Sequence, residues 1–418
     1  MILDKLETRS HEERENALFH QLPEQIQYAK KHTEYFDRLF AHIDPSKITS
    51  RESLANLPVT RKSDLSEQQK MSPPFGGMNA TVISKLKRIF QSPGPIYEPQ
   101  GSGLDSFRLA RSLRAAGFKP GDIVHNTFSY HFTPGAWMME GGAHALGCCV
   151  FPAGIGQTEL QAQTVALLRP SAYTGTPSFL KIILEKADEL GLDSSSITKA
   201  VVSGEALPPS LRTWFQARKI VVTSAYATAD VGLIAYESPQ LTSGMIIDEE
   251  IILEIVEPNG IKPLSLGETG EVVITVFNKD YPLIRFGTGD LSAIDPESLT
   301  TPSPCGRSNI RIKGWLGRAD QTTKIKGMFV HPGQVQEIIK KHPQINKARV
   351  IVSGNIGNEV MTIHCELEDV ASSDLDALNK AIVQSTRDIT KLRAKVCFEN
   401  SNFLPTDGKL IEDARTYA

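Results

Sequence analysis

The sequence predicts an α/β protein: a large N-terminal domain with mixed and parallel sheets flanked by helices and an antiparallel meander, then a small α+β C-terminal domain. Three observations predict it. From about Gly121, short apolar runs alternate strictly with helical stretches, the pattern of parallel strands joined by crossover helices. Asn259-Gly260 and Gly267 to Gly270 then punctuate a β-rich stretch with hairpin turns. After Trp315 the strand and helix pattern starts afresh, over about one hundred residues, enough for a domain of its own. The expected domains are 1–315 and 316–418.

In order along the chain, "HEERENALFHQLPEQIQYAKKHTEYFDRLF" has apolar residues at helical spacing and predicts two N-terminal helices. "LDSFRLARSLRAAG" is helix-like. The strands "DIVHNTF", "CCVFPAG", "AYTGTP", "KAVVSGE" and "KIVVTSAY" alternate with the helices "GAWMMEGGAHALG", "ELQAQTVALL", "SFLKIILEKADELG" and "SLRTWFQA". In such sheets ligands sit at the carboxyl ends of the strands, where this chain carries small polar residues. "MIIDEEIILEIVEPNGIKPLSLGETGEVVITVFN" reads as the meander. The C-terminal unit reads as strand "QTTKIKG", helix "PGQVQEIIKKH", strands "KARVIVS" and "EVMTIHCELE", helix "DLDALNKAIVQSTRDIT" and strand "AKVCFE".

Composition bounds the function. With 418 residues, 40% hydrophobic and 22% charged, the chain has the make-up of a soluble globular protein of two or three domains. A net charge of −3 gives no general attraction to nucleic acid or anionic lipid, so an anionic ligand needs a local site. The charged stretch "MILDKLETRSHEEREN" lacks the apolar core of a signal peptide, and no apolar run has membrane-span length. A cytoplasmic protein is expected. Five cysteines, two of them adjacent, suit free thiols better than a disulfide framework, and none has zinc-site spacing.

"YPLIRFGTGDLSAI" followed by "CGRSNIRIKGWLGRADQTTKIKGMFVHPGQVQEII" resembles the adenylate-forming, acyl-CoA synthetase superfamily, and within it the phenylacetate-CoA ligase branch. "LPVTRKSDL", the stretch from "AAGFKPGDIV" to "IGQTELQ", and "LPTDGKLIEDAR" extend the resemblance over nearly the whole chain. It implies ATP-dependent activation of an aryl or other apolar acid as an acyl-adenylate, transfer to CoA and release of AMP, with Mg2+ as cofactor. Alternatives are loading of a carrier protein's phosphopantetheine, or non-catalytic binding of AMP or an acyl-adenylate. Oligomeric state is open, a homodimer included.

The same resemblance implies roles. Ser203, Gly204 and Glu205 would lie against adenine, where Gly permits close approach. Tyr226 would stack on adenine. Thr228 and Asp230 join Lys409 as catalytic candidates, Asp230 as the metal ligand, although Ala229 stands where the motif has a hydroxyl. Asp290 would take the ribose diol, Arg318 the nucleotide, and Lys409 the carboxylate and α-phosphate, with the small C-terminal domain mobile about a hinge near Asp320. Tyr130, His131, Phe132 and Trp137 would wall the acyl pocket.

The tract "QSPGPIYEPQGSG" falls where the family closes a Thr- and Lys-containing loop over the β- and γ-phosphates. Ser92 and Gly94 survive as candidates for that contact. The Thr pair and the Lys do not, Glu98 adds negative charge, and Pro93 and Pro95 remove N–H donors that phosphate needs. A solvated connector explains the composition equally well.

Overall fold

The computed structural model describes the chain apart from residues 1, 242, 259, 302, 320–322, 327, 331, 356–357, 369–374, 406–408 and 416–418. The turn position Asn259 and the expected pivot Asp320 therefore lie outside the described residues. The chain divides into Met1–Leu316 and Gly317–Ala418.

The larger unit contains an eight-stranded sheet in which Cys149–Pro152, Ile123–Asn126, Ala172–Gly175, Lys199–Val202 and Val221–Thr228 run parallel in that order. The helices Gly135–Ala145, Thr158–Leu168, Pro177–Glu189 and Pro209–Ala217 connect successive strands. Every residue of Ala172–Gly175 is buried, as expected of a strand covered on both faces. Gly232–Tyr236, Met245–Ile247 and Arg311–Ile312 extend the sheet antiparallel. "MII" is thus part of this sheet and not of the meander.

The second sheet orders Thr60–Arg61, Phe286–Ser292, Gly270–Val276 and Ile251–Val256. Ile251–Val256 and Gly270–Val276 are buried throughout. Ile252 packs with Leu18, Leu22 and Ile26 of the long N-terminal helix His11–His32. Leu253 and Ile255 pack with Tyr226 and Phe286 in another core. Thr60–Arg61 adds parallel to Phe286–Ser292, with Thr60 opposite Phe286, which brings the Lys62 segment beside Asp290.

Two local readings are corrected. The helix expected over 104–117 spans only Ala110–Ala115. Arg108 is left-handed at φ 65; its guanidinium meets the Asp248 carboxylate at 2.6 Å and donates to the carbonyls of Val231 and Leu233. Tertiary contacts thus override the helical propensity of the preceding residues. The Pro/Gly tract is no irregular loop either: Arg88–Ser92 and Ile96–Gln100 form an antiparallel hairpin.

In Gly317–Ala418, Lys395–Asn400, Val360–Leu367, Ile345–Ser353 and Ile411–Asp413 form one sheet in that order. Val335 and Ile338 of Pro332–Lys341 and Leu378 and Ile382 of Leu375–Thr390 share its core. Ile411–Asp413, parallel to Ile345–Ser353, follows Lys409 directly. All five cysteines are free, and among the described residues no helix is long and apolar enough to cross a membrane.

Candidate active site

The hairpin is built by alternation. Phe90 and Ser92 on one strand and Ile96, Glu98 and Gln100 on the other are buried, whereas Ile89 and Tyr97 are exposed. A Cβ on Gly94 would lie 2.7 Å from Cγ1 of Ile96, a separation that side chains do not tolerate, so the tight turn requires glycine. Gln69, on the helix Leu65–Met71, clamps the hairpin from outside: its amide accepts from Tyr97 N–H and donates to the Tyr97 carbonyl, both at 2.8 Å. Gln91 N–H donates to the Phe132 carbonyl at 2.9 Å, tying the hairpin to the loop after Ile123–Asn126.

This register turns Ser92 inward, where its hydroxyl pairs with Oε1 of Glu98. Glu98 has no exposed surface. Burial, then the charge of Asp230, push its carboxyl up to about 8, with Lys62 opposing. Lys62, just after Thr60–Arg61, donates to Oδ2 of Asp230 at 2.5 Å. Ser92, Glu98, Asp230 and Lys62 therefore form one cluster, contributed by the hairpin, by the turn after Val221–Thr228 and by the edge of the second sheet. Oε2 of Glu98 and Oδ1 of Asp230 accept no hydrogen bond from any described residue. Thr228 Oγ1 accepts from Val231 N–H at 3.3 Å and shapes the turn that presents Asp230.

A second group lies on the facing strands. The Tyr226 hydroxyl donates to Oδ2 of Asp290 at 2.9 Å, and Trp315 Nε1 donates to Oδ1 of Asp290 at 3.1 Å. Asp290 N–H donates to Thr288 Oγ1, whose hydroxyl donates to the Val272 carbonyl. Both oxygens of Asp290 thus already meet hydroxyl or N–H donors, the chemistry that a sugar diol offers.

Ser203, Gly204 and Glu205 follow Lys199–Val202, at the carboxyl end of a parallel strand. Ser203 N–H donates to the Gly175 carbonyl at 3.2 Å, Gly204 is left-handed at φ 79, and Ser178 Oγ donates to Oε2 of Glu205 at 2.5 Å. Tyr130 and Trp137 meet edge to face with centroids 5.0 Å apart, a favoured aromatic geometry. Arg88 lies 3.8 Å over the Trp137 ring. The Tyr130 hydroxyl donates to Glu140 at 2.7 Å and accepts from Asn126 at 2.8 Å. Burial and the Glu140 carboxylate raise its pKa above the usual tyrosine range. His131 and Phe132 differ from this pair: both are exposed, Phe132 to 74%, so neither stands in an enclosed wall.

Arg318 and Lys409 belong to Gly317–Ala418. Arg318 is half-buried on the short strand Gly317–Arg318, and Lys409 is exposed. Lys62, Glu98 and Trp315 escaped the sequence reading as site residues. Lys62 lay within the quoted "LPVTRKSDL", yet its contact with Asp230 spans 168 positions, which no local pattern encodes.

Two buried carboxylate oxygens without hydrogen-bond donors suit a hard cation. Among the described residues no group of three or more His, Cys, Asp or Glu side chains could hold a metal; what they offer here is a pair of carboxyl groups. Such a site leaves positions for phosphate oxygens and water.

A family model described as AMP-binding enzyme matches residues 104–276. The chain is 30% identical over 361 residues to a phenylacetate-coenzyme A ligase of Thermus thermophilus, covering 82% of this chain and 79% of that one. It is 28% identical over 416 residues to one from Aromatoleum evansii, covering 94% and 92%. The fold is similar to that of a 2-hydroxyisobutyryl-CoA ligase solved with 2-HIB-AMP and CoA, at a TM-score of 0.84 and 23% identity over 99% of this chain and 92% of that one.

Proposed function

Because the chain belongs to the phenylacetate-coenzyme A ligase family and is an ATP-dependent, AMP-forming acid–CoA ligase working through an acyl-adenylate, we propose that its acid is an aryl or similarly apolar carboxylate, phenylacetate-like in shape. The observation that carries this reading is the Tyr130–Trp137 pair. The Tyr130 hydroxyl is taken up by Glu140 and Asn126, so what Tyr130 has left to offer a ligand is ring surface. An apolar wall of this kind suits an arene or alkyl chain.

A carboxylate is a poor acyl donor because its leaving group would be oxide. Attack by a carboxylate oxygen on the α-phosphorus of ATP forms a C–O–P linkage and expels pyrophosphate. The CoA sulfur then attacks the acyl carbon, and AMP departs with the former carboxylate oxygen. The protein's part is to position reactants and to meet charge as it develops. In this reading Asp290, held by Tyr226 and Trp315, accepts from the ribose hydroxyls through the remaining lone pairs of its oxygens, and Tyr226 with the Ser203–Gly204–Glu205 turn borders the adenine. Lys409 and Arg318 supply positive charge to the carboxylate, the α-phosphate and the nucleotide, with Asp320 as the pivot between the two half-reactions. Magnesium held at Asp230 would lend positive charge to the phosphate oxygens. Free CoA is the acceptor in this reading, and the cytoplasm the place of work.

A screen of carboxylic acids for AMP, pyrophosphate and thioester tests this directly. Arylacetates should give CoA thioester with one AMP per turnover, well ahead of short hydroxy acids. A preference for small polar acids, or thioester formed only on a carrier protein's phosphopantetheine, would overturn it.

A further inference from the structure

The hairpin Arg88–Ser92 and Ile96–Gln100 falls where the sequence resemblance puts a phosphate-gripping loop, but it carries a buried carboxyl group where such a loop needs donors. Glu98 would repel a triphosphate that met it directly. Three observations resolve the conflict. Glu98 is wholly buried, with Oε1 fixed by Ser92 and Oε2 without a donor among the described residues. Asp230, 5% exposed, likewise keeps Oδ1 without a donor. The cation at hand is Lys62, paired with Asp230 and close enough for its charge to act on Glu98, with a side chain 17% exposed. Its flexible stem can carry the ammonium back to water when a stronger cation arrives.

We propose that Glu98 and Asp230 together ligate the divalent cation that accompanies ATP, so that this chain grips the β- and γ-phosphates through a metal ion rather than through loop donors. The proposal rests on the nucleotide reading above; Asp230 belongs to that reading, and Glu98 is the new ligand. Magnesium is commonly bound by one or two carboxylates with substrate phosphates and water completing its octahedron, and two carboxylates are what the cluster offers. The composition of the hairpin then has a cause. A metal-mediated grip needs no backbone N–H groups, so Pro93 and Pro95 cost nothing. It needs a buried acid at residue 98 with its orientation set, which Ser92 provides.

Manganese, followed by electron paramagnetic resonance, reads the site without turnover. Mn2+ is titrated, with neither acid nor CoA present, into wild type, Glu98→Gln, Glu98→Asp and Asp230→Asn, each with a non-hydrolysable ATP analogue and each alone. Affinity of AMP without metal is measured in parallel. The expected result is one Mn2+ per wild-type chain with the analogue, at least tenfold weaker binding in Glu98→Gln and Asp230→Asn, partial recovery in Glu98→Asp, and unchanged AMP affinity in all four. Wild-type Mn2+ affinity in Glu98→Gln would overturn the proposal, as would a loss of AMP affinity matching the loss of Mn2+, which marks a merely structural Glu98. Failure of the ligase reading is separate, because it appears in the acid screen on wild type.

Discussion

Tyr226 donates its hydroxyl proton to Oδ2 of Asp290 across 2.9 Å, joining the last strand of the parallel run to the second sheet. That bond holds the carboxylate in one orientation before any nucleotide arrives. Trp315 holds the other oxygen, so the carboxylate proposed to take the ribose is oriented from two directions.

Asp290→Ala should therefore weaken AMP and ATP alike, by about 1.5–3 kcal/mol for loss of charged hydrogen bonds. Tyr226→Phe, which removes only one orienting donor, should cost about 0.5–1.5 kcal/mol. Calorimetric titration with both nucleotides checks this. Unchanged affinity in Asp290→Ala removes that residue from the nucleotide site.

Ser92→Ala leaves buried Glu98 without its hydroxyl partner. A lost partner for a buried polar group costs about 1–3 kcal/mol of stability. Urea unfolding should show a lower midpoint at constant slope. A midpoint equal to wild type would mean that the serine does not secure Glu98.

Asp105 gives a pH signature. It accepts N–H donors from Leu109 at 2.9 Å and Ala110 at 2.8 Å, at the start of Ala110–Ala115. Burial nevertheless raises its carboxyl from 3.8 to about 6, with those two bonds opposing. A folded pKa above the unfolded one means that the folded state holds the extra proton between them. The Asp105 contribution is thus greatest below pH 4, declines as pH rises to about 6 and is level beyond, a change of about 3 kcal/mol at most. The difference between wild type and Asp105→Asn, followed by urea unfolding from pH 4.5 to 7, should carry that slope. A difference independent of pH contradicts it.

Much of the fold was legible because the strands between Ile123 and Thr228 are short, apolar and separated by amphipathic helices, and parallel topology follows from that alternation. The hairpin was not, because Pro93, Gly94 and Pro95 mask its alternation of buried Phe90, Ser92, Ile96 and Glu98. The start of Ala110–Ala115 was misread because the left-handed Arg108 is fixed by Asp248, 140 positions away. Tyr226, Asp230 and Asp290 sit in local motifs and could be put forward as candidates from sequence. Lys62 and Trp315 could not, since each enters the site only through a contact across the fold.

Lys409→Ala should separate the two half-reactions. In the proposed role only adenylation develops charge next to the ammonium, so pyrophosphate release should fall about 100- to 1,000-fold. Thioester formation from supplied acyl-adenylate should remain within a few-fold of wild type. Equal losses in both steps would assign Lys409 to neither alone.

The central claim is that this chain forms an acyl-adenylate although a hairpin with a buried glutamate replaces the phosphate loop. Acid-dependent exchange of labelled pyrophosphate into ATP, measured with magnesium and an arylacetate and without CoA, tests it most directly. Exchange that requires the acid and disappears in Asp290→Ala is the predicted result. No exchange with any acid, by a protein that still converts supplied acyl-adenylate and CoA to thioester, would contradict it.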